Sequence, residues 1–463
     1  MLAFAASAAL AQFPPPGVAP GQPTATAPGQ DWWARAPLFR STFYNIKTDL
    51  EPAEAKVMAE HMDATFAAYW GLFSRLPVRL QRPATLDLYM FANQQDYMNV
   101  LSLRFNDDAT GSWGKCITVG KSISLVGWKG HHSLDDLMRL FQHEGFHQVS
   151  SHLFTGTPLW AEEGMAELFE RGVMIGDQLV LGEFPPQDKA FLLRAMDGQQ
   201  LAPLDKFLAI DHDAWNARVR AGNAQSQYSQ AWSLVHFLVF AENGKYEPQY
   251  LNFLVQLNRR VPWQQAFVAA FGVPDVKAME ARWSEYVRAT PPSDYRETLR
   301  RLDFLAAGMT ALRAREVYPT SIADLQEKLR EMDFQHESTG GEPRRMSASD
   351  ATLFTVPFAE GVPGREFLLV ETRPAASGDR ARQEPPPATI VAQGLYPQVF
   401  LAEWTRRGRE AGYTLSAKPS SQYDKARPAQ ATGARRIDRG TETTKPPNTD
   451  ASPDDTPAPG PQQ

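Results

Sequence analysis

His143-Glu144-Gly145-Phe146-His147 (HEGFH) carries two histidines four residues apart, with a carboxylate beside the first. On a helix, side chains at that spacing stand one above the other, so both imidazoles can direct a nitrogen at one point. Two imidazoles and a third ligand hold a zinc ion, which lowers the pKa of a coordinated water to about 7. The pattern therefore predicts a helix with His143 and His147 as metal ligands and Glu144 as the general base.

The start of that helix is readable. Ser133 with Asp136 three residues on has capping-box spacing, and Leu134, Leu137, Met138, Phe141 and Val149 recur at helical period. Gly145 is unusual inside it, since glycine costs about 0.5 to 1 kcal/mol relative to alanine, and so predicts close packing against a neighbour. Upstream, the pattern predicts a strand over 42–48, a helix over 51–73, a strand over 85–91, a helix over 94–103 and short strands at 115–119 and 122–128. Downstream, Thr157 as N-cap with Pro158 behind it opens a second helix, and further helices are expected over 187–197, 226–242, 248–258 and 276–289.

Ala289-Thr290-Pro291-Pro292-Ser293 breaks this run, so residues 31–290 read as one α+β domain, a small mixed sheet with a helical subdomain. Beyond it, 295–315 and 321–332 have helical spacing, while 352–404 alternates, with strands expected at 353–358, 367–372 and 388–392. Residues 295–417 are thus expected to be a small α+β module of unknown role. From 418 to 463 large apolar residues almost vanish, and a disordered tail is expected. At the other end, residues 1–11 (MLAFAASAALA) end in a small-x-small pattern without a basic start, which reads as a truncated signal peptide. Residues 12–30 form a Pro-rich linker, and export to the periplasm or outside the cell is the expectation.

Composition narrows the function. The 463 residues are 43% hydrophobic and 22% charged with a net charge of −6, signs interspersed, which points to no nucleic acid and no basic membrane-surface partner. No stretch reaches the 18 or more apolar residues of a membrane span. Cys116 stands alone, excluding an internal disulfide framework and a thiolate-rich zinc site. Oligomeric state stays open.

A zinc site built on His143 and His147 needs a third ligand from another element. Glu163 lies fifteen residues beyond His147, counting those between, which suits a turn and a return helix. It sits in Trp160-Ala161-Glu162-Glu163-Gly164-Met165-Ala166-Glu167. HExxH followed by W-x-x-E-G-x-A-E resembles the gluzincin metallopeptidases, most closely the peptidase MA-like domain family, with the motifs inside residues 31–290. The resemblance implies a zincin-like metallopeptidase fold, Zn2+ held by His143, His147 and Glu163, and a peptide or protein substrate.

Glu167, one turn beyond Glu163, is expected to accept a hydrogen bond from a ligand histidine, whereas Glu162 and Glu170 read as solvated surface charges. Tyr228, sixty-five residues past Glu163, is the candidate oxyanion donor, because gluzincin aminopeptidases place a transition-state tyrosine at a broadly similar distance. The competing readings are an ordinary packed tyrosine and, as donor, His236. By fold analogy, strand 122–128 is expected at the sheet edge where substrate backbone pairs. His131 and His132 read as loop residues. No G-x-M-E-N segment precedes the motif, and the His-to-Glu span is shorter than in those aminopeptidases, so aminopeptidase activity is not implied. The alternative from another class is a non-catalytic envelope protein using the scaffold for binding or structure. An intact Glu144 counts against it, since structure alone needs only the ligands.

Overall fold

The computed structural model describes residues 31–76, 80–109, 111–120, 122–154, 156–272, 276–338, 344–360, 362–371, 388–407 and 410–426. The expected leader and linker, and the expected tail beyond 426, lie outside the described residues. After a single turn, α1 (Trp32–Arg35), come β1 (Leu38–Arg40), β2 (Tyr44–Thr48), α2 (Pro52–Phe73), β3 (Leu86–Phe91), α3 (Gln94–Val100), β4 (Gly114–Val119) and β5 (Ser122–Trp128). The five strands make one sheet in the order β1-β2-β3-β5-β4, with β2, β3 and β5 parallel and β1 and β4 antiparallel at its edges.

This order corrects the expectation for 122–128: β5 is interior and β4 is the edge. Burial is the cause. Leu125 faces the main core under α2, while Val126 faces a smaller cluster with Trp32, Phe91 and Tyr97, so β5 is covered on both faces. An interior parallel strand has that character, whereas β4 ends in the exposed Thr118 and Val119.

The pentapeptide lies on α4 (Leu134–Leu153), whose capping box is formed by Ser133 and Asp136. Tyr69 of α2 donates its hydroxyl proton to Gln142 O at 2.5 Å. A Cβ on Gly145 would stand 2.9 Å from that hydroxyl oxygen, so the glycine is what lets α2 and α4 close on each other. The return helix α5 (Leu159–Glu170) begins at Pro158 with no side-chain cap, so the expected Thr157 cap is not used.

After α5 come a hairpin the sequence reading missed, β6 (Val173–Ile175) and β7 (Gln178–Val180), then α6 (Pro186–Asp197), α7 (Leu204–Phe207) and α8 (His212–Arg218). They are followed by α9 (Ala224–Gly244), regular to Phe240, then α10 (Glu247–Asn258), α11 (Trp263–Phe271) and α12 (Val276–Ala289). Gly164 of α5 faces α9, where an added Cβ would meet Ala231 O at 2.6 Å.

The remaining elements are α13 (Tyr295–Arg313), α14 (Ile322–Glu331), β8 (Gln335–Glu337), β9 (Arg345–Ser347), β10 (Phe367–Glu371), β11 (Ala388–Leu395), β12 (Gln398–Arg407), β13 (Glu410–Pro419) and α15 (Ser420–Ala426). Strands β10 to β13 form an antiparallel meander across which α13 packs, and the architecture as a whole is mixed α+β. The strand expected over 353–358 is instead a 3-10 turn, Ala351–Phe354, because the Asp350 side chain accepts the Thr352 N–H at 2.9 Å and starts a helical turn. Residues 418–426, placed by composition in the tail, complete β13 and α15.

Among the described residues, the two largest hydrophobic cores lie on either side of 289–293 except for the β6–β7 hairpin. Val173, Ile175 and Val180 of the β6–β7 hairpin pack in the second core with Leu302, Leu305 and Phe400. Ser293 is buried, donating its N–H to Phe184 O at 2.8 Å and accepting the Phe184 N–H at 2.9 Å.

Candidate metal centre

Helix α4 and helix α5 bring three side chains to one point. His143, His147 and Glu163 each offer one ligand atom, all within 4.8 Å of one another, and the three residues are 1%, 7% and 1% exposed. Glu163 Oε2 lies 3.5 Å from His143 Nε2 and 3.6 Å from His147 Nε2. Two ligands about 2.0 to 2.1 Å from a tetrahedral zinc stand roughly 3.3 to 3.5 Å apart, so the spacing suits a metal better than a direct hydrogen bond. Both Nε2 atoms are buried without a hydrogen-bond partner, a costly arrangement unless a cation takes their lone pairs. The donor set of two imidazoles and a carboxylate therefore fits a divalent metal.

The other nitrogen of each imidazole is held by a carboxylate. His143 Nδ1 stands 3.1 Å from Glu170 Oε2, and His147 Nδ1 stands 3.4 Å from Glu162 Oε1, which also accepts the Ser150 hydroxyl at 3.1 Å. Such contacts place the proton on Nδ1 and turn the Nε2 lone pair toward the metal position. The expected partner, Glu167, belongs to a second group with His143 and Glu170, yet its carboxylate is bound by Arg171 one turn along. Arg171 continues to Asp188 at 3.0 Å and lies 4.6 Å over the Trp232 ring. Glu162 and Glu170, read from sequence as solvated charges, thus do what was expected of Glu167. The helical period held part of the signal: Glu163, Glu167 and Glu170 are i, i+4 and i+7 on one face.

Electrostatics agree. Burial alone lowers His147, but the Glu163 and Glu162 carboxylates outweigh it and push the imidazole up to about 10; His143 is likewise raised by Glu163 and Glu170 against its burial. Glu163, despite burial, is held well below the usual carboxylate range by the two histidines. The carboxylates that favour a proton on each ring equally favour a divalent cation between them.

Glu144 is 1% exposed, and its Oε2 accepts the N–H of Cys116 on the edge strand β4 at 2.8 Å. Burial raises its pKa, opposed by His143 and His147. Tyr228 is buried on α9 with its ring 5.4 Å from Trp215; burial, and after it the nearby Glu163, raises its phenol well above the ordinary value. His236 points elsewhere. Its Nε2 is 3.2 Å from Gly182 O and its Nδ1 2.9 Å from Tyr286 Oη, so both ring nitrogens are engaged away from the metal position.

Comparison with protein-family models and with curated proteins found no match to this chain. The geometry by itself carries a coarser statement: a buried His/His/Glu cluster with HExxH spacing, suited to a metal-dependent hydrolase. No helix among the described residues is long and apolar enough to cross a membrane.

Proposed function

We propose that the chain is an exported zinc-dependent peptidase of the gluzincin kind, with a zincin-like domain, cleaving peptide bonds in a peptide or protein. One observation carries the reading: two buried imidazole nitrogens that make no hydrogen bond converge on the Glu163 carboxylate at 3.5 and 3.6 Å, with Glu144 adjacent on the same helix as the histidines. A zinc ion bound there would acidify a coordinated water and polarise the scissile carbonyl.

The remaining work falls to the chain. Glu144, anchored through Oε2 to Cys116 N–H, keeps Oε1 to take a proton from the attacking water and return it to the leaving amine. Tyr228, held protonated by burial, is the proposed donor to the developing oxyanion. Along β4, Trp113 O accepts from Trp128 N, so alternation turns the backbone groups of Gly114 and Thr118, and the Cys116 carbonyl, away from β5 toward an extended substrate, while the Cys116 N–H is held by Glu144.

The test compares purified wild type with Glu144→Gln for zinc content and for hydrolysis of a peptide library. Stoichiometric zinc in both, with turnover reduced about 10² to 10⁴-fold in the variant, is expected. Zinc-loaded wild type no more active than the variant across the library would sink the reading. Export is tested separately by sequencing the N-terminus of protein recovered outside the cytoplasm, expected to start near residue 12; retention of the intact chain inside the cell overturns that part.

A further inference from the structure

The β6–β7 hairpin stands between two cavities. Residues 173–176 line one of them, and residues 177–181 line the other, an open groove of about 740 Å³ bounded also by α2, the end of α9 and α15. The hairpin is a two-stranded sheet of its own, so β7 turns an edge without a neighbouring strand to the groove. Its two-residue turn makes Ile175 and Gln178 a hydrogen-bonded pair and, by alternation, Val173 and Val180 the next. Leu179 lies between them, so its N–H and C=O both point away from β6. Neither has a hydrogen-bond partner among the described residues. The next outward carbonyl, that of Leu181, confirms the direction: it accepts from Gln398 Nε2 of β12, also part of the groove lining, at 3.1 Å. Ala67 and Ala68 of α2 and Phe240 of α9 give the groove an apolar side. Of its charged residues, Arg75 and Glu247 pair with each other, which leaves Asp177, exposed at the hairpin turn, as the net charge.

We propose that this groove docks an extended polypeptide segment, which adds to β7 as a third strand and carries a basic side chain opposite Asp177. A free strand edge is matched by the backbone of another strand, which presents an acceptor and a donor at the spacing of Leu179 N–H and C=O. The size agrees, since ligand pockets commonly measure about 300 to 1,000 Å³. The carboxylate at the turn selects a basic over an acidic neighbour. None of the three metal ligands lines the groove, so docking there stands or falls independently of the peptidase reading.

The test titrates the full chain carrying Glu144→Gln, so that the peptide is not consumed, with Ac-Lys-Val-Thr-Val-Lys-NH2, whose symmetrical sequence serves either strand direction. Saturable one-to-one binding by calorimetry is expected, with the NMR signal of the Leu179 amide shifting and its deuterium exchange slowing as the peptide is added. Replacing both lysines of the peptide by glutamate should weaken binding about threefold or more, and Asp177→Asn should erase that preference. N-methylation of the central threonine, which removes the N–H meant for Leu179 C=O, should weaken binding about tenfold. Leu179→Pro removes the other half of the pair without touching the bonds to β6, and Ala67→Trp fills the groove; each should cost about tenfold or more. Absence of saturable binding, an N-methylated or glutamate peptide that binds as tightly as its parent, or a Leu179 amide already protected from exchange before peptide is added overturns the proposal, and none of these readouts requires a groove variant to fold.

Discussion

His143 and His147 differ from the other buried histidines in what their two nitrogens face: a carboxylate behind, and in front a point shared with Glu163. Orientation by Glu170 and Glu162 is worth about 10- to 100-fold in metal affinity at comparable sites. Glu170→Gln should therefore weaken zinc by about that factor in competition with a chelator, whereas Glu167→Gln should leave zinc affinity unchanged and lower thermal stability through loss of the Arg171 contact. Equal affinity losses in both variants would return Glu167 to the role expected from sequence. Tyr228→Phe should lower kcat about 10² to 10³-fold with KM little altered; a purely structural tyrosine would instead shift the melting temperature and spare kcat. Spacing could find the acidic face of α5, because the helical period fixes which residues share a side. It could not say that Arg171 captures Glu167, since the outcome depends on Asp188 and Trp232, which arrive from distant elements.

At the scale of elements, glycine marks where helices touch. Gly164→Ala would drive a methyl group to 2.6 Å from the backbone carbonyl of Ala231, which cannot yield as a side chain can, and should destabilise by about 1 to 3 kcal/mol. Gly71→Ala, on α2 with nothing within 4 Å, should stabilise by about 0.5 to 1 kcal/mol. Chemical denaturation of the two variants checks both signs. Long helices were legible because period is local, and so was one cap: Ser133 with Asp136 starts α4 as expected, and α14 starts where the helical spacing at 321 begins. The order of β4 and β5 was not, because it is decided by which strand gains cover on both faces. The β6–β7 hairpin escaped because each strand has three residues, too few for alternation, although Gly176 at φ 62° followed by Asp177 marks its turn.

For the whole molecule, the junction of the two cores is polar as well as apolar. Glu183 accepts the Tyr295 N–H there, and its pKa is pushed up to about 7, chiefly by burial and further by Asp294, against the N–H, Arg296 and Arg171. Between its ordinary value of 4.5 and about 7 the folded chain holds a proton that the unfolded chain has released, so stability is full below that window and falls as pH rises through it. Relative to Glu183→Gln, wild type should lose about 2 kcal/mol from pH 5 to pH 8, and a difference constant with pH would show that Glu183 is already ionised. The break read from the prolines at 289–293 has the two large cores on either side of it except at the β6–β7 hairpin, which crosses it because core membership depends on contacts distant in sequence. A truncation to 31–290 exposes Val173, Ile175 and Val180, and is expected to melt lower and less cooperatively than the full chain, as calorimetry would record. The hairpin also bears on inheritance. A recombination event that exchanged everything after residue 290 would not transfer a self-sufficient cassette, since the incoming half would have to bring a hollow shaped for three side chains encoded upstream of the joint.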